Sequence, residues 1–251
     1  TIKYLKLEQI FYQIFYRLIK PTPAHHKYVL KIRDKKNKFS EISRKSKSLI
    51  DQNTFEFFGK SISLLDNGWN TKKQDKLFLY NLNYFDDLNA EDFKQRSEWH
   101  KIILKSWLNE NQYNHKNVAW EPYPTSIRSI NWIKWSLFGN TLTEKNLVSL
   151  YYHGIYLEKN LERNILGNHI FTNAKALIYL GLYFNTIDSN RWFKKGLKII
   201  GIQLSEQVLE DGGNFELSPS YHVNFLEDVL DIINILKTYN NYLYYSKDFI
   251  L

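Results

Sequence analysis

The sequence predicts an all-α chain built from antiparallel helix pairs, stacked as a solenoid or closed into a helical toroid. Two observations carry this. Apolar residues recur at helical period over most of the 251 residues, and the connections between periodic segments are short, which places sequential helices side by side and antiparallel. Little in the sequence supports a large sheet.

Taken in order, "TIKYLKLEQIFYQIFYRLIK" reads as an amphipathic helix with Ile10, Phe11, Ile14, Phe15 and Leu18 on one side, ended by "KPTP". Charged and polar residues interrupt it, so it lacks the continuous apolar core of a signal peptide. Lys31–Phe39, "KIRDKKNKF", is a basic connection. A short helix is expected around Ser40–Ile50. Residues 53–85 are less regular: "FEFFGKSISLL" suits short strands and "DNGWN" a turn. Further helices are expected at about Ala90–Leu108, Thr125–Phe138, Thr143–Arg163, Asn168–Phe184, Asn190–Leu209 and Pro219–Tyr239. Pro124 precedes the second of these and Gly139 follows it. "EDGGN" stops the helix after Leu209. In "SPSY", Ser218 suits the cap and Pro219 the first helical position. The expected organisation is one domain over 1–251, with 1–40 as N-terminal helix and connection and 41–251 as the helical body.

Composition bounds the function. With 43% hydrophobic residues the chain buries a sizeable core, and with no Cys it has neither disulfides nor thiolate metal sites. No 18-residue apolar run spans a membrane. The 7 Trp, 18 Tyr and 16 Phe fit an aromatic core, a sugar-stacking cleft or an interface. The net charge of +8 fits a lysine-rich surface or a polyanionic partner, but no Lys/Arg run resembles a nucleic-acid-binding arm. Phosphate loops, dinucleotide fingerprints, zinc-protease helices and nucleophile elbows are all missing.

Three clusters could do chemistry. In "GNHIFTNAKAL", Asn168 and His169 fall in the first turn of a helix, with Asn173 one turn on. In "DGGNFELSPSYH", Tyr221 and His222 follow Pro219. A helix start presents N–H donors and the positive end of the dipole, which favours anions and a tyrosinate. In an antiparallel series, helices starting at 168 and 219 share an end because one helix lies between them, so both clusters can line one rim. Plainer readings stand beside these: Asn168 as a cap, His169 as a satisfied core histidine, Tyr221 as a buried aromatic. The third cluster, "AWEPYPTSIRSINWIKW", offers Glu121, Arg128, Trp120, Trp132 and Trp135. There Arg can hold a carboxylate and Trp can stack on a sugar, or all can be structural.

The stretches "LFLYNLNYFDDL", "WEPYPTSIRSINWIKW", "LERNILGNHIFTNAKAL" and "DGGNFELSPSYHVNFLEDVLDIINIL" resemble the heparinase II/III-like family in its N-terminal domain. That resemblance implies an incomplete (α/α) toroid, normally followed by a C-terminal β-sandwich that this sequence does not include. It further implies polysaccharide lyases that act on uronic-acid polymers by β-elimination, without an obligatory organic cofactor; no cofactor and no metal site are expected in this chain. The expected partner is an acidic polysaccharide, and relatives are usually exported. Carried over by motif, Asn168 and His169 match the pair that meets the uronate carboxylate, His169 also serving as base. Tyr221 matches the catalytic acid/base. Arg128, Trp120, Glu121 and Trp132 are the expected substrate contacts, with His222 and Glu216 orienting the site. Two other classes stay open: an α/α-toroid glycoside hydrolase and a non-catalytic polysaccharide-binding module. Inverting hydrolysis needs two carboxylates across a cleft, and the spacing of Glu121, Asp211 and Glu216 singles out no pair.

Overall fold

A computed structural model of the chain describes residues 5–18, 30–40, 43–113 and 117–240. The "KPTP" segment expected to stop the first helix lies outside them. Two compact units form, one from 1–42 with 154–251 and the other from 43–153. Apart from one hairpin and isolated bridges, the regular structure of the described residues is helical.

The 43–153 unit holds β1 (Thr54–Phe57), β2 (Lys60–Ser63), α2 (Leu64–Asn67), α3 (Lys76–Tyr84), α4 (Ser97–Glu110) and α5 (Pro122–Leu137). α6 (Glu144–Lys159) begins in it. The hairpin pairs Phe55 with Ile62, and both side chains are buried. Its two-residue turn, Phe58–Gly59, has positive φ at both positions, the geometry that matches strand twist. The helix expected around Ser40–Ile50 is not formed over Ser43–Ile50. The backbone N–H groups of Ser48 and Leu49 donate instead to Asp87, and Ile50 N–H donates to the Thr54 carbonyl. A helix would take those donors away from the buried carboxylate. Similarly, Ala90–Arg96 do not start a helix. Two short 3-10 turns occupy Asp86–Arg96, and Arg96 reaches back to Asp87 and to the Glu91 carbonyl.

Most of the aromatic excess in this unit is core. Trp69 stacks on Phe85, and Phe85, Trp107 and Trp132 meet edge-to-face with centroids 5.6–6.3 Å apart. Such pairs add about 0.5–1.5 kcal/mol each beyond their burial.

The other unit contains α1 (Leu7–Leu18), α7 (Gly167–Tyr183), α8 (Ile187–Gln207) and α9 (Pro219–Thr238). α7 is its centre: Ile170 to Tyr183 are all buried, as in a helix surrounded on every side. α8 turns back along α7, starting from a reciprocal capping box between Thr186 and Ser189. The two approach closely at Gly181, where a Cβ would lie 2.6 Å from the Phe193 backbone nitrogen.

α9 runs parallel to α7. Phe171 meets Phe225 with ring centroids 4.7 Å apart, Lys175 pairs with Asp228 and Asp231, and the Tyr179 hydroxyl donates to the Asp231 carbonyl. Both residue numbers rise together, so the two helices begin at the same end. The basic connection closes the opposite end. Arg33 donates to the carbonyls of Leu182 and Phe184, while Lys36 and Asn37 N–H groups donate to the Thr238 carbonyl. Those groups satisfy orphan carbonyls, and the cations suit the negative dipole ends.

Candidate functional site at two helix starts

The parallel register decides what the first turns of α7 and α9 share. Phe171 is the fifth residue of α7 and Phe225 the seventh of α9. Their contact puts Asn168 and His169 at about the level of His222 and Val223, with Tyr221 at the start of the neighbouring helix.

Both helix starts leave their first-turn N–H groups uncapped by a side chain at the cap position. For α7 that position is Leu166, so Asn168 lies inside the first turn and is not the cap. For α9 it is Ser218, as the sequence suggests. Its hydroxyl, however, makes no cap bond and lies 3.1 Å from the Ser220 hydroxyl. Both starts follow a leucine with left-handed φ, Leu166 at 67° and Leu217 at 52°. Leu166, with ψ −156°, occupies a region that is nearly glycine-only, at a cost of about 1–3 kcal/mol. Strain of this kind persists where the surroundings over-determine the backbone, and it collects at functional sites.

The His169 side chain is 25% exposed and its Nδ1 lies 3.0 Å from Glu162 Oε1. Asn173, fully buried, donates from Nδ2 to Glu162 Oε2 and accepts the Glu162 backbone N–H at Oδ1, at 3.0 and 2.8 Å. Asn173 therefore clasps Glu162 at both its carboxylate and its backbone N–H. Glu162 sits in the α6–α7 connection, which α1 holds down. The Tyr16 hydroxyl donates to the Leu161 carbonyl, Gln9 to the Ile165 carbonyl, and Arg163 pairs with Glu8. Burial pushes the Tyr16 hydroxyl well above its usual pKa, with Tyr12 adding to it, so it stays a donor there.

A cleft of about 480 Å³ opens at the α7 start, walled by Gly167, Asn168, Gln203, Gln207, Phe215 and Glu216, with Lys6 and Glu206 at its side. Gln207 donates to the Gly167 carbonyl and to Gln203, tying the end of α8 to the start of α7. Tyr221 and His222 are exposed; Tyr221 retains 43% of its surface. Asn168 and Glu216 thus share a wall, and His169 and Tyr221 lie on adjacent first turns.

The third cluster belongs to the 43–153 unit and is mostly interior. Arg128 and Trp132 are fully buried and Trp120 nearly so. The Arg128 guanidinium lies 4.2 Å from the Trp107 ring centre and donates to the Asn83 carbonyl, Thr125 Oγ1 and His153 Nε2. Because arginine only donates, His153 Nε2 is an acceptor and Nδ1 carries the proton, 3.1 Å from the Ser129 hydroxyl. Burial and then Arg128 hold His153 well below its usual pKa. This histidine is neutral. Glu121 is half-buried, receives the Tyr80 hydroxyl, and pairs with Lys76 at 2.9 Å. Arg128, Trp120 and Trp132 pack the interior of this unit, while Glu121 stays partly exposed beside the exposed Lys76 ammonium.

The profile described as Heparinase II/III N-terminus matches residues 54–250. The chain belongs to the heparinase II/III N-terminal family. Its fold is of the α/α-toroid class that this domain has. The chain is 35% identical over 74 residues to a heparin-sulfate lyase of Bacteroides stercoris, covering 29% of this chain and 11% of that protein. To a heparin-sulfate lyase of Pedobacter heparinus it is 30% identical over 154 residues, covering 58% of this chain and 22% of the relative. It therefore spans about a fifth or less of the curated relatives it matches. No solved structure matches it. No helix among the described residues is long and apolar enough to cross a membrane.

Proposed function

We propose that this heparinase II/III-type domain forms part of a polysaccharide lyase that cleaves a uronic-acid-containing polymer by β-elimination. The observation that supports the reading most is the parallel pairing of α7 and α9, which sets Asn168 and His169 beside Tyr221 at two uncapped helix starts.

The chemistry requires this set of groups. The C5 proton of a uronate is weakly acidic while the adjacent carboxylate keeps its full charge. Donors from the α7 first turn and the Asn168 amide draw that charge down, stabilising the enolate-like transition state; one well-placed donor of this kind is worth about 3–4 kcal/mol. A base then takes the C5 proton, His169 or Tyr221 being the two groups placed for it. The C4=C5 double bond forms as the C4–O4 bond breaks, and the Tyr221 hydroxyl returns a proton to O4. His222 and Glu216 orient the site. The net charge of +8 favours approach of a polyanion. Arg128, Trp120 and Trp132 are not among the proposed substrate contacts, because their side chains are buried inside the 43–153 unit.

The test is the product formed by the full-length protein on uronic-acid polymers. A lyase leaves an unsaturated uronide that absorbs in the near ultraviolet. Hydrolysis to saturated ends overturns the reading, and full lyase activity in Tyr221→Phe overturns the role given to Tyr221. A binding module retains polymer affinity in that variant and releases no product from the outset.

A further inference from the structure

We infer that Glu162 is the positioning residue of His169. It fixes the imidazole in the tautomer that carries its proton on Nδ1 and presents Nε2 as the basic nitrogen. The inference rests on the proposed role of His169 in elimination, but its structural core stands apart from activity.

A carboxylate accepts and does not donate, so the 3.0 Å contact between Glu162 Oε1 and His169 Nδ1 places the proton on Nδ1. The carboxylate is itself held. Its second oxygen receives the Asn173 amide, and Asn173 Oδ1 receives the Glu162 backbone N–H. Glu162 is 7% exposed and Asn173 0%, so neither swings freely. This reciprocal clasp fixes Glu162 in position and in rotation before it touches the ring, which is what a precise orienting group needs. The α1 contacts to Leu161 and Ile165 hold the same connection from outside. A carboxylate that locks a catalytic imidazole in one tautomer is a recurring device, and the isosteric amide leaves the geometry intact while favouring the wrong tautomer.

The amide replacement has a predictable orientation here. In Glu162→Gln the amide oxygen remains claimed by the Asn173 Nδ2 donor. The new NH2 group then faces His169 Nδ1 and donates to it, so the ring takes its proton on Nε2 and loses its basic nitrogen there.

The experiment records the ring nitrogen signals of His169 in the wild-type chain and in Glu162→Gln at a pH where the ring is neutral, and lyase turnover in the full-length protein. The expected result is an Nδ1–H ring in the wild type, an Nε2–H ring in the variant, and a fall in kcat on the order of 10²-fold or more with KM little changed. An Nε2–H ring in the wild type overturns the inference and requires no variant to fold. So does a ring unchanged by Glu162→Gln. If the tautomer switches as expected but the wild type shows no lyase activity, the Glu162 assignment holds and the functional reading fails.

Discussion

Lys175 of α7 and Asp231 of α9 form a 2.6 Å ion pair in the interior, with Asp228 on the same ammonium at 2.7 Å. Burial alone would lower the Lys175 pKa, but the two aspartates outweigh it and hold it well above the ordinary lysine value. Two carboxylates on one cation fix the sliding position of α9 along α7, and that position sets His222 about level with Asn168, with Tyr221 one residue nearer the helix start. Removing the cation takes the ammonium from the buried Asp231 carboxylate, while Asp228 keeps partial access to solvent. Lys175→Ala is expected to destabilise the chain by about 3–5 kcal/mol. Adding Asp228→Asn and Asp231→Asn to it restores part of the loss. Urea denaturation of the three proteins measures this, and a single variant as stable as wild type refutes the arrangement.

Gly181 allows the close α7–α8 approach. A Cβ there lies 2.6 Å from the Phe193 nitrogen and 2.7 Å from the Ser189 carbonyl, both backbone atoms that cannot rotate away. Gly181→Ala, which would gain helix propensity at an exposed site, is expected to cost about 1–3 kcal/mol here. Gly201→Ala is the control: it sits in the same pair of helices with open space around it and should stabilise slightly, by up to about 1 kcal/mol. Equal effects at the two positions would contradict the packing.

Much of this was readable from residues alone, and the exceptions have a common cause. The helices at 122–137, 167–183, 187–207 and 219–238 announce themselves through apolar period and through Pro and Gly punctuation, which are local. The two helix starts carrying Asn168, His169 and Tyr221 follow from counting antiparallel helices. What stays hidden depends on distant partners. Leu49 and Ser48 look helical until their amides are seen to serve Asp87, nearly forty residues on. α3 lies in a stretch that reads as irregular, although Asp75 accepts the Phe78 N–H and caps it; an Asp two residues ahead of the apolar run that begins at Leu77 is the available signal. Arg128 and the tryptophans around it read equally as cleft or core, because composition does not say which face of a helix has a neighbour. Glu162 falls inside the quoted stretch "LERNILGNHIFTNAKAL", but nothing local assigns it a role. It lies in a connection seven residues ahead of His169, and only the path of that connection back to the first turn of α7 brings the two together.

Tyr221 tests the site without testing the fold. Its ring is 43% exposed, so removing one hydroxyl should shift stability by no more than about 0.5 kcal/mol. If it is the acid/base of the elimination, Tyr221→Phe lowers turnover by about 10²- to 10⁴-fold. Circular dichroism and a urea melt matching wild type, alongside lost near-ultraviolet product, is the expected combination. Lost activity together with lost stability would assign Tyr221 to packing.

Asp87 predicts the acid limb of stability in the 43–153 unit. Burial works to raise its pKa, but His100, Arg96 and the Leu49 and Ser48 amides more than compensate and hold it at about 2, against 3.8 for a free aspartate. A carboxylate with a depressed folded-state pKa binds fewer protons folded than unfolded over the interval between the two values, so stability falls as pH falls through it. The contribution, about 2 kcal/mol, is fully present above about pH 5 and disappears on the way down to about pH 2. Asp87→Asn removes this slope. It also leaves Arg96 a buried cation without its carboxylate, so the variant is less stable at neutral pH and flatter in acid. Equilibrium unfolding of both proteins between those limits, followed by tryptophan fluorescence from the surrounding aromatic core, gives the two slopes. A wild-type curve as flat as that of Asp87→Asn would show that Asp87 titrates as a free side chain and that its four partners do not hold it.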